Sequence, residues 1–243
     1  MADKTLSYSE KVKGWTSFYS YLPDMMVNMN NDFYSFKDGQ LYLHNKSEGD
    51  RNTFYGQSYN TEIEFVANEG PSDVKIFKTI EIEGDSKEWD VTVATDIESG
   101  HVNKADFENK EGFKYSYIRR NASDEVNTEL LSVQGVGNLT SSSSNTYTFT
   151  SVPGNVSIGD ALYFSSGGSY SKIGVISSKD STTITTVSSL STPSNGDFIF
   201  VAKNSVAESY GLKGYYASIR LTNNGTLPVE VFAVNSEVSK SFP

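Results

Sequence analysis

Two runs of this chain alternate apolar and acidic residues with a period of two. In residues 61–67 Ile63 and Phe65 interleave with Glu62 and Glu64, and in 76–83 Ile80 and Ile82 interleave with Glu81 and Glu83. Side chains that switch faces at every step belong to a strand, and carboxylates along one side mean that this side is wet. The pattern constrains the chain to half-buried antiparallel sheet. Further strands are expected at 33–36 and 41–44, on either side of an Asp38-Gly39 turn of the kind favoured in hairpins, and at 89–95 and 114–119. One helix is expected, over 103–112, with Asn103 as its cap and Gly112 at its end. The fold class expected is all-β: an antiparallel, sandwich-like parent domain.

The composition changes near Leu130. Residues 130–203 hold three lysines (Lys172, Lys179, Lys203) and three aspartates (Asp160, Asp180, Asp197), so their charges cancel, and they are crowded with Ser, Thr and Gly. Five short strands are expected there, around 147–149, 161–164, 172–177, 182–187 and 198–201, which suits a small barrel or sandwich. The phrase Ser-x-Gly-Asp occurs at Ser157–Asp160 and again at Ser194–Asp197, read as one turn type used twice. Gly135-Val136-Gly137 is read as a flexible junction. The aromatic, charged style returns after residue 203, with strands at 215–222 and 229–234 expected to pair across Asn223-Asn224-Gly225, and an edge strand at 238–242. Residues 1–129 and 204–243 are therefore expected to form one discontinuous parent domain, closed across a module at 130–203.

The net charge of −10 opposes contact with nucleic acid and with anionic lipid, and no apolar stretch is long enough for a membrane helix. With no cysteine there is neither a disulfide framework nor a thiolate metal site. The polar N-terminus carries no apolar signal core. Catalytic signals are sparse. The two histidines, His44 at a strand end and His101 after Gly100 in an expected turn, lack metal-ligand spacing and are read as surface or backbone-bonded rings. The pairs Glu62/Glu64 and Glu81/Glu83 sit at a spacing that a glycosidase could use, but strand alternation already explains them. Asp85, Glu88, Asp90, Asp96 and Glu98 form an acidic run without the spacing of a calcium loop. No catalytic residue, cofactor or metal ligand is assigned.

Aromatic side chains remain. Between Gly14 and Gly56 the chain carries Trp15, Phe18, Tyr19, Tyr21, Phe33, Tyr34, Phe36, Tyr42, Phe54 and Tyr55. Rings of this kind anchor interfaces and also stack on sugars. Trp15, Phe33 and Trp89 are expected inside, with Tyr19, Tyr21, Tyr34 and Tyr55 turned to a partner. Candidate interface residues are Trp15, Phe18, Tyr19, Tyr21, Tyr34 and Tyr55.

The phrase KGWTSFYSYLPDMMVNMNNDFYSFKDGQLYLHN, followed by RNTFYG, KTIEIEGD and the ending VEVFAVNSEVSKSFP, resembles virion structural proteins of tailed bacteriophages. The likeness is to proteins of T4-like myoviruses of marine cyanobacteria, with a related module in the large muzzle-type tail proteins of crAss-like phages. It spans roughly residues 6–120 and 205–243. The resemblance implies a non-enzymatic, multi-copy part of the tail, neck or baseplate, assembled in the host cytoplasm. Its partners would be copies of itself and other virion proteins. The alternative reading is a carbohydrate-binding sandwich that recognises a host glycan.

Overall fold

The computed structural model describes residues 3–46, 48–120, 132–204 and 210–241. The protein is nearly all β, with about 55% of its residues in strands. The strand ladders described below are antiparallel, and the described strands form seven sheets. The chain divides into two compact units: residues 1–63 with 222–229, and residues 64–221 with 230–243.

The smaller unit holds the hairpin of strands Thr5–Ser9 and Gly14–Tyr19, the three-stranded meander Met25–Met29, Asp32–Lys37 and Gln40–Leu43, and a short ladder between Thr53–Phe54 and Gln57–Ser58. The expected hairpin is present in the meander: Lys37 faces Gln40 across Asp38 and Gly39, both at positive φ (49° and 75°). Two successive positive φ values give the turn whose twist matches that of its strands.

In the larger unit, Thr79–Gly84 lies between Phe113–Tyr117 and Val231–Asn235, with Glu108–Lys110 at the edge. Asp90–Thr95 pairs with Ser99–Val102 and neighbours Ala217–Asn223, beyond which lies Thr61–Ala67. Lys75–Phe77 is flanked by Leu212–Gly214 and Val238–Lys240. The inward residues of these strands (Phe77, Ile80, Ile82, Trp89, Val91, Val93, Ile219 and Leu221) are buried, as the period-two pattern requires. Trp89 is inside, as expected.

Residues 132–204 contribute one sheet of seven strands, in the order Val133–Asn138, Phe198–Ala202, Ala161–Ser166, Ser169–Lys179, Thr183–Thr186, Thr146–Thr148, Ser141–Ser143. The first and last strands in that order are consecutive in sequence, so the sheet curls until its two edges approach each other. The eleven-residue strand Ser169–Lys179 makes the bend, pairing with Ala161–Ser166 along one half and with Thr183–Thr186 along the other. Tyr147, Phe149, Leu162, Ile173, Ile176, Ile184, Ile199 and Val201 fill the interior.

Four expectations are corrected. The helix over 103–112 is a single 3-10 turn, Lys104–Asp106, followed by strand Glu108–Lys110. Asn103 does cap it, its side chain accepting from Ala105 N, but Lys110 faces Phe113 across a two-residue turn and draws the rest into a ladder. Residues 135–137 are not a junction: they lie in strand Val133–Asn138, where the register slips between Gly135 and Gly137. The strands expected to pair across Asn223–Gly225 lie in different sheets, since Val231–Asn235 pairs with Thr79–Gly84. His101 stands in strand Ser99–Val102, buried, its backbone bridged to Arg119.

The doubled Ser-x-Gly-Asp phrase is one turn used twice. Asp160 Oδ2 accepts from Ser157 N at 2.8 Å and Asp197 Oδ2 from Ser194 N at 2.8 Å, with Gly159 and Gly196 at φ of 90° and 93°.

Candidate functional site

Among the described residues, no group of three His, Asp or Glu side chains stands close enough together to hold a metal ion. The acidic run acts instead on the backbone. Asp85 Oδ1 accepts from Glu230 N, Asp90 Oδ1 from Lys104 N, Asp96 Oδ1 from Tyr215 N, and Glu98 Oε2 from Lys213 N, each at 2.8–3.0 Å. Each carboxylate therefore satisfies a backbone N–H, at a loop, a strand or the 3-10 turn. Glu98 also meets Arg120, and Glu88 pairs with Lys104 at 3.2 Å. Glu64 receives Arg220 through two nitrogens, at 2.8 and 3.2 Å.

In the smaller unit the aromatic residues form two groups. The inner group centres on Tyr21, whose ring lies 4.3 Å from Phe54 and 5.3 Å from His44, stacked on both, with Tyr55 edge-on at 5.6 Å. Ser35, fully buried, bonds His44 Nε2 at 2.6 Å and Tyr55 OH at 2.7 Å. Burial, with smaller contributions from Tyr19 and Tyr55, pushes the Tyr21 phenol up to about 12. Burial also lowers the His44 imidazole below its ordinary 6.5, so the ring is neutral at physiological pH. A Ser–His bond invites a catalytic reading. Ser35 has no exposed surface through which a substrate could reach it, so the bond serves as a packed polar strut.

The outer group faces solvent. Leu6 pairs with Phe18 and Tyr8 with Trp15 across the two strands of the N-terminal hairpin, the Tyr8 and Trp15 rings meeting edge to face at 5.3 Å. Trp15 is 63% exposed and Phe18 68%. Residues 15 and 18 have opposite parity and would point to opposite faces of a regular strand. The bulge between Ser7 and Tyr8 resets the pairing and brings both to the outer face. Met25, Met26, Met29 and Leu41 are likewise exposed on the meander. Among the described residues of this unit, Tyr21 is the only buried apolar side chain.

The burial of the sequence candidates thus differs from expectation. Trp15, expected inside, is exposed, because of the bulge. Tyr21, expected at the surface, is the centre of the inner cluster, because the rings of His44, Phe54 and Tyr55 pack around it. Phe33 is half-buried against His44 at 5.1 Å. Tyr19, Tyr34 and Tyr55 are half-buried, and Tyr55 is anchored by Ser35. Sequence reasoning missed Leu6 and Tyr8, although their alternation with Thr5, Ser7 and Ser9 was the signal of a strand, and it missed the methionines of MMVNM.

Residues 49–121 match the model of the crassvirus muzzle protein C-terminal domain. Over 91 residues, 36% of its length, the chain is 45% identical to the muzzle protein of Bacteroides phage crAss001. The matched stretch spans only 6% of the length of that relative. The crAss-like half of the resemblance read from the residues is the half that these matches carry.

Proposed function

We propose that this chain is a non-enzymatic structural part of a tailed-phage virion that docks neighbouring subunits through its N-terminal unit. The observation that carries the reading is a small unit that turns its apolar side chains outward. Its hairpin presents Leu6, Tyr8, Trp15 and Phe18 on one face, with one buried ring inside the unit to set against them. Burying each large side chain against a partner contributes about 1.5–3 kcal/mol, so a handful of them supplies the drive for assembly. The match of residues 49–121 to a muzzle-protein domain supports a place in the particle, in the tail or its neck. Residues 132–204 would then be a module carried by the parent domain, since strands before and after it pair with one another: Thr79–Gly84 with Val231–Asn235, and Lys75–Phe77 with Leu212–Gly214.

A sugar-binding role for the outer face predicts coplanar rings. Tyr8 and Trp15 stand 74° apart, a geometry suited to packing against side chains. The test is the double variant Trp15→Ser/Phe18→Ser in the encoding phage. Both positions are exposed, so the protein folds, and the expected result is virions depleted of this chain. Virions with a normal content of the double variant would overturn the reading.

A further inference from the structure

Three strands that each end a sheet line one cavity of about 730 Å³. Phe65 and Ala67 come from Thr61–Ala67, Val234 and Asn235 from Val231–Asn235, and Val238 and Lys240 from Val238–Lys240. Every residue lining the cavity belongs to the larger unit. A strand at the end of a sheet keeps a row of backbone N–H and C=O groups without ladder partners, and proline on it blocks further pairing. None of these three strands contains proline, and each exposes an apolar side chain: Val66, Phe232 and Val238. The lining also holds one buried charged side chain. Lys75 shares the inward side of its strand with Phe77 and is 5% exposed. Its Nζ donates to the carbonyls of Gly70 at 2.9 Å and Asp73 at 3.1 Å. One of its three donors and its charge are left without a partner among the described residues. The Asp73 carboxylate is taken by Lys240 at 2.9 Å, and Glu69 is exposed to water. Ser236 Oγ, buried in the same lining, has no hydrogen-bond partner either.

We infer that this cleft receives an extended segment of a partner polypeptide, which adds as a strand to one of the three edges and sets an acidic side chain on Lys75 Nζ. Backbone pairing supplies affinity, and alternate apolar side chains of the segment meet Phe65, Phe77 and Val234. The carboxylate fixes the register, because a buried ammonium without a counter-charge is costly and a charge-assisted hydrogen bond relieves it. A free fatty acid would satisfy Lys75 and the apolar lining but would leave all three edges unpaired. The edges therefore favour a polypeptide. The site is separate from the N-terminal docking face, none of whose residues lines the cavity.

Titration of the full chain with the peptide acetyl-Val-Thr-Glu-Thr-Val-amide, its glutamine counterpart and hexanoate tests the inference, read by amide NMR shifts and hydrogen exchange. The glutamate peptide binds at about 1 mM or tighter, at least about tenfold better than the glutamine peptide, and slows amide exchange in one of the three edge strands. Lys75→Met removes the preference for glutamate. Ala67→Trp fills the cavity and abolishes binding in a chain whose spectrum is otherwise that of the folded protein. If either variant fails to fold, the comparison of the two peptides on the unaltered chain decides. Trp15→Ser/Phe18→Ser leaves peptide binding unchanged, which tells failure of this site from failure of the docking face. The assignment is overturned by no binding of the glutamate peptide, by equal binding of the two peptides, or by binding without slowed exchange. Hexanoate binding as tightly as the glutamate peptide, or undiminished binding to folded Ala67→Trp, overturns it as well.

Discussion

His44 and Asp180 show how single residues in this protein carry opposite chemical roles, and each predicts its own pH window. His44 sits among Tyr21, Tyr55, Phe33, Phe54 and the Ser35 hydroxyl, all uncharged, and burial lowers its basicity. The folded state therefore disfavours the proton. Stability is full above the ordinary value of 6.5 and declines as pH falls below it, because the unfolded chain takes up the proton first. Melting temperature should fall as pH drops below 6.5, and His44→Gln, which keeps a hydrogen-bonding partner for Ser35, should flatten that slope. An unchanged slope in the variant would mean that another group is responsible. Asp180 is held at about 2 by the Thr183 hydroxyl first and by the Thr182 and Thr183 N–H groups, and its contribution is lost only as pH falls from 3.8 through 2. The His44 loss sets in below 6.5 and the Asp180 loss only below 3.8, so acid titration separates their onsets. None of the His44 environment was readable in the sequence, because Tyr21, Ser35, Phe54 and Tyr55 converge on it from separate strands and turns.

At the scale of the element, glycines and buried charge mark where strands approach most closely. A Cβ on Gly100 would lie 2.2 Å from the Arg119 carbonyl oxygen and 3.0 Å from Ile118 and Leu212 side-chain carbons. Gly100→Ala should therefore push strand Ser99–Val102 off the Arg119 bridge and cost about 1–3 kcal/mol, read from the denaturant midpoint. Asp160 is fully buried, meets Lys203 Nζ at 2.8 Å and closes the first Ser-x-Gly-Asp turn. Asp160→Ala removes the lysine's carboxylate and strands the N–H groups of Ser157 and Asn204, and should cost about 3 kcal/mol, whereas its counterpart Asp197, at the exposed turn, should cost under about 1 kcal/mol on the same change. Equal losses at the two would show that burial does not govern the turn. Strands were legible here because Ile80/Ile82 and Ile63/Phe65 alternate with glutamates, and the turns because Asp-Gly names its own conformation. Strand partners were not. Val231–Asn235 chooses Thr79–Gly84 over its sequence neighbour through long-range packing, which no local pattern encodes, and the bulge that turns Trp15 outward depends on pairing rather than on composition.

At the scale of the whole molecule, the account predicts separable parts. Residues 132–204 fill their own interior, and their strands pair only with one another among the described residues. Expressed alone, this segment should fold with a cooperative thermal transition. A chain joined directly from residue 131 to 205 should keep the sheets that bury Trp89, seen as a retained blue-shifted tryptophan emission, and loss of that emission would show the segment to be integral to the remainder. The N-terminal unit should behave in the opposite way. With one buried ring and an apolar outer face, it completes its burial only in company. The most direct measurement is therefore a density map of the intact particle at side-chain resolution. It should place this chain within the tail or neck, with Leu6, Trp15 and Phe18 buried against a neighbouring subunit. Particles that lack the chain, or a chain in place with that face open to solvent, would contradict the account.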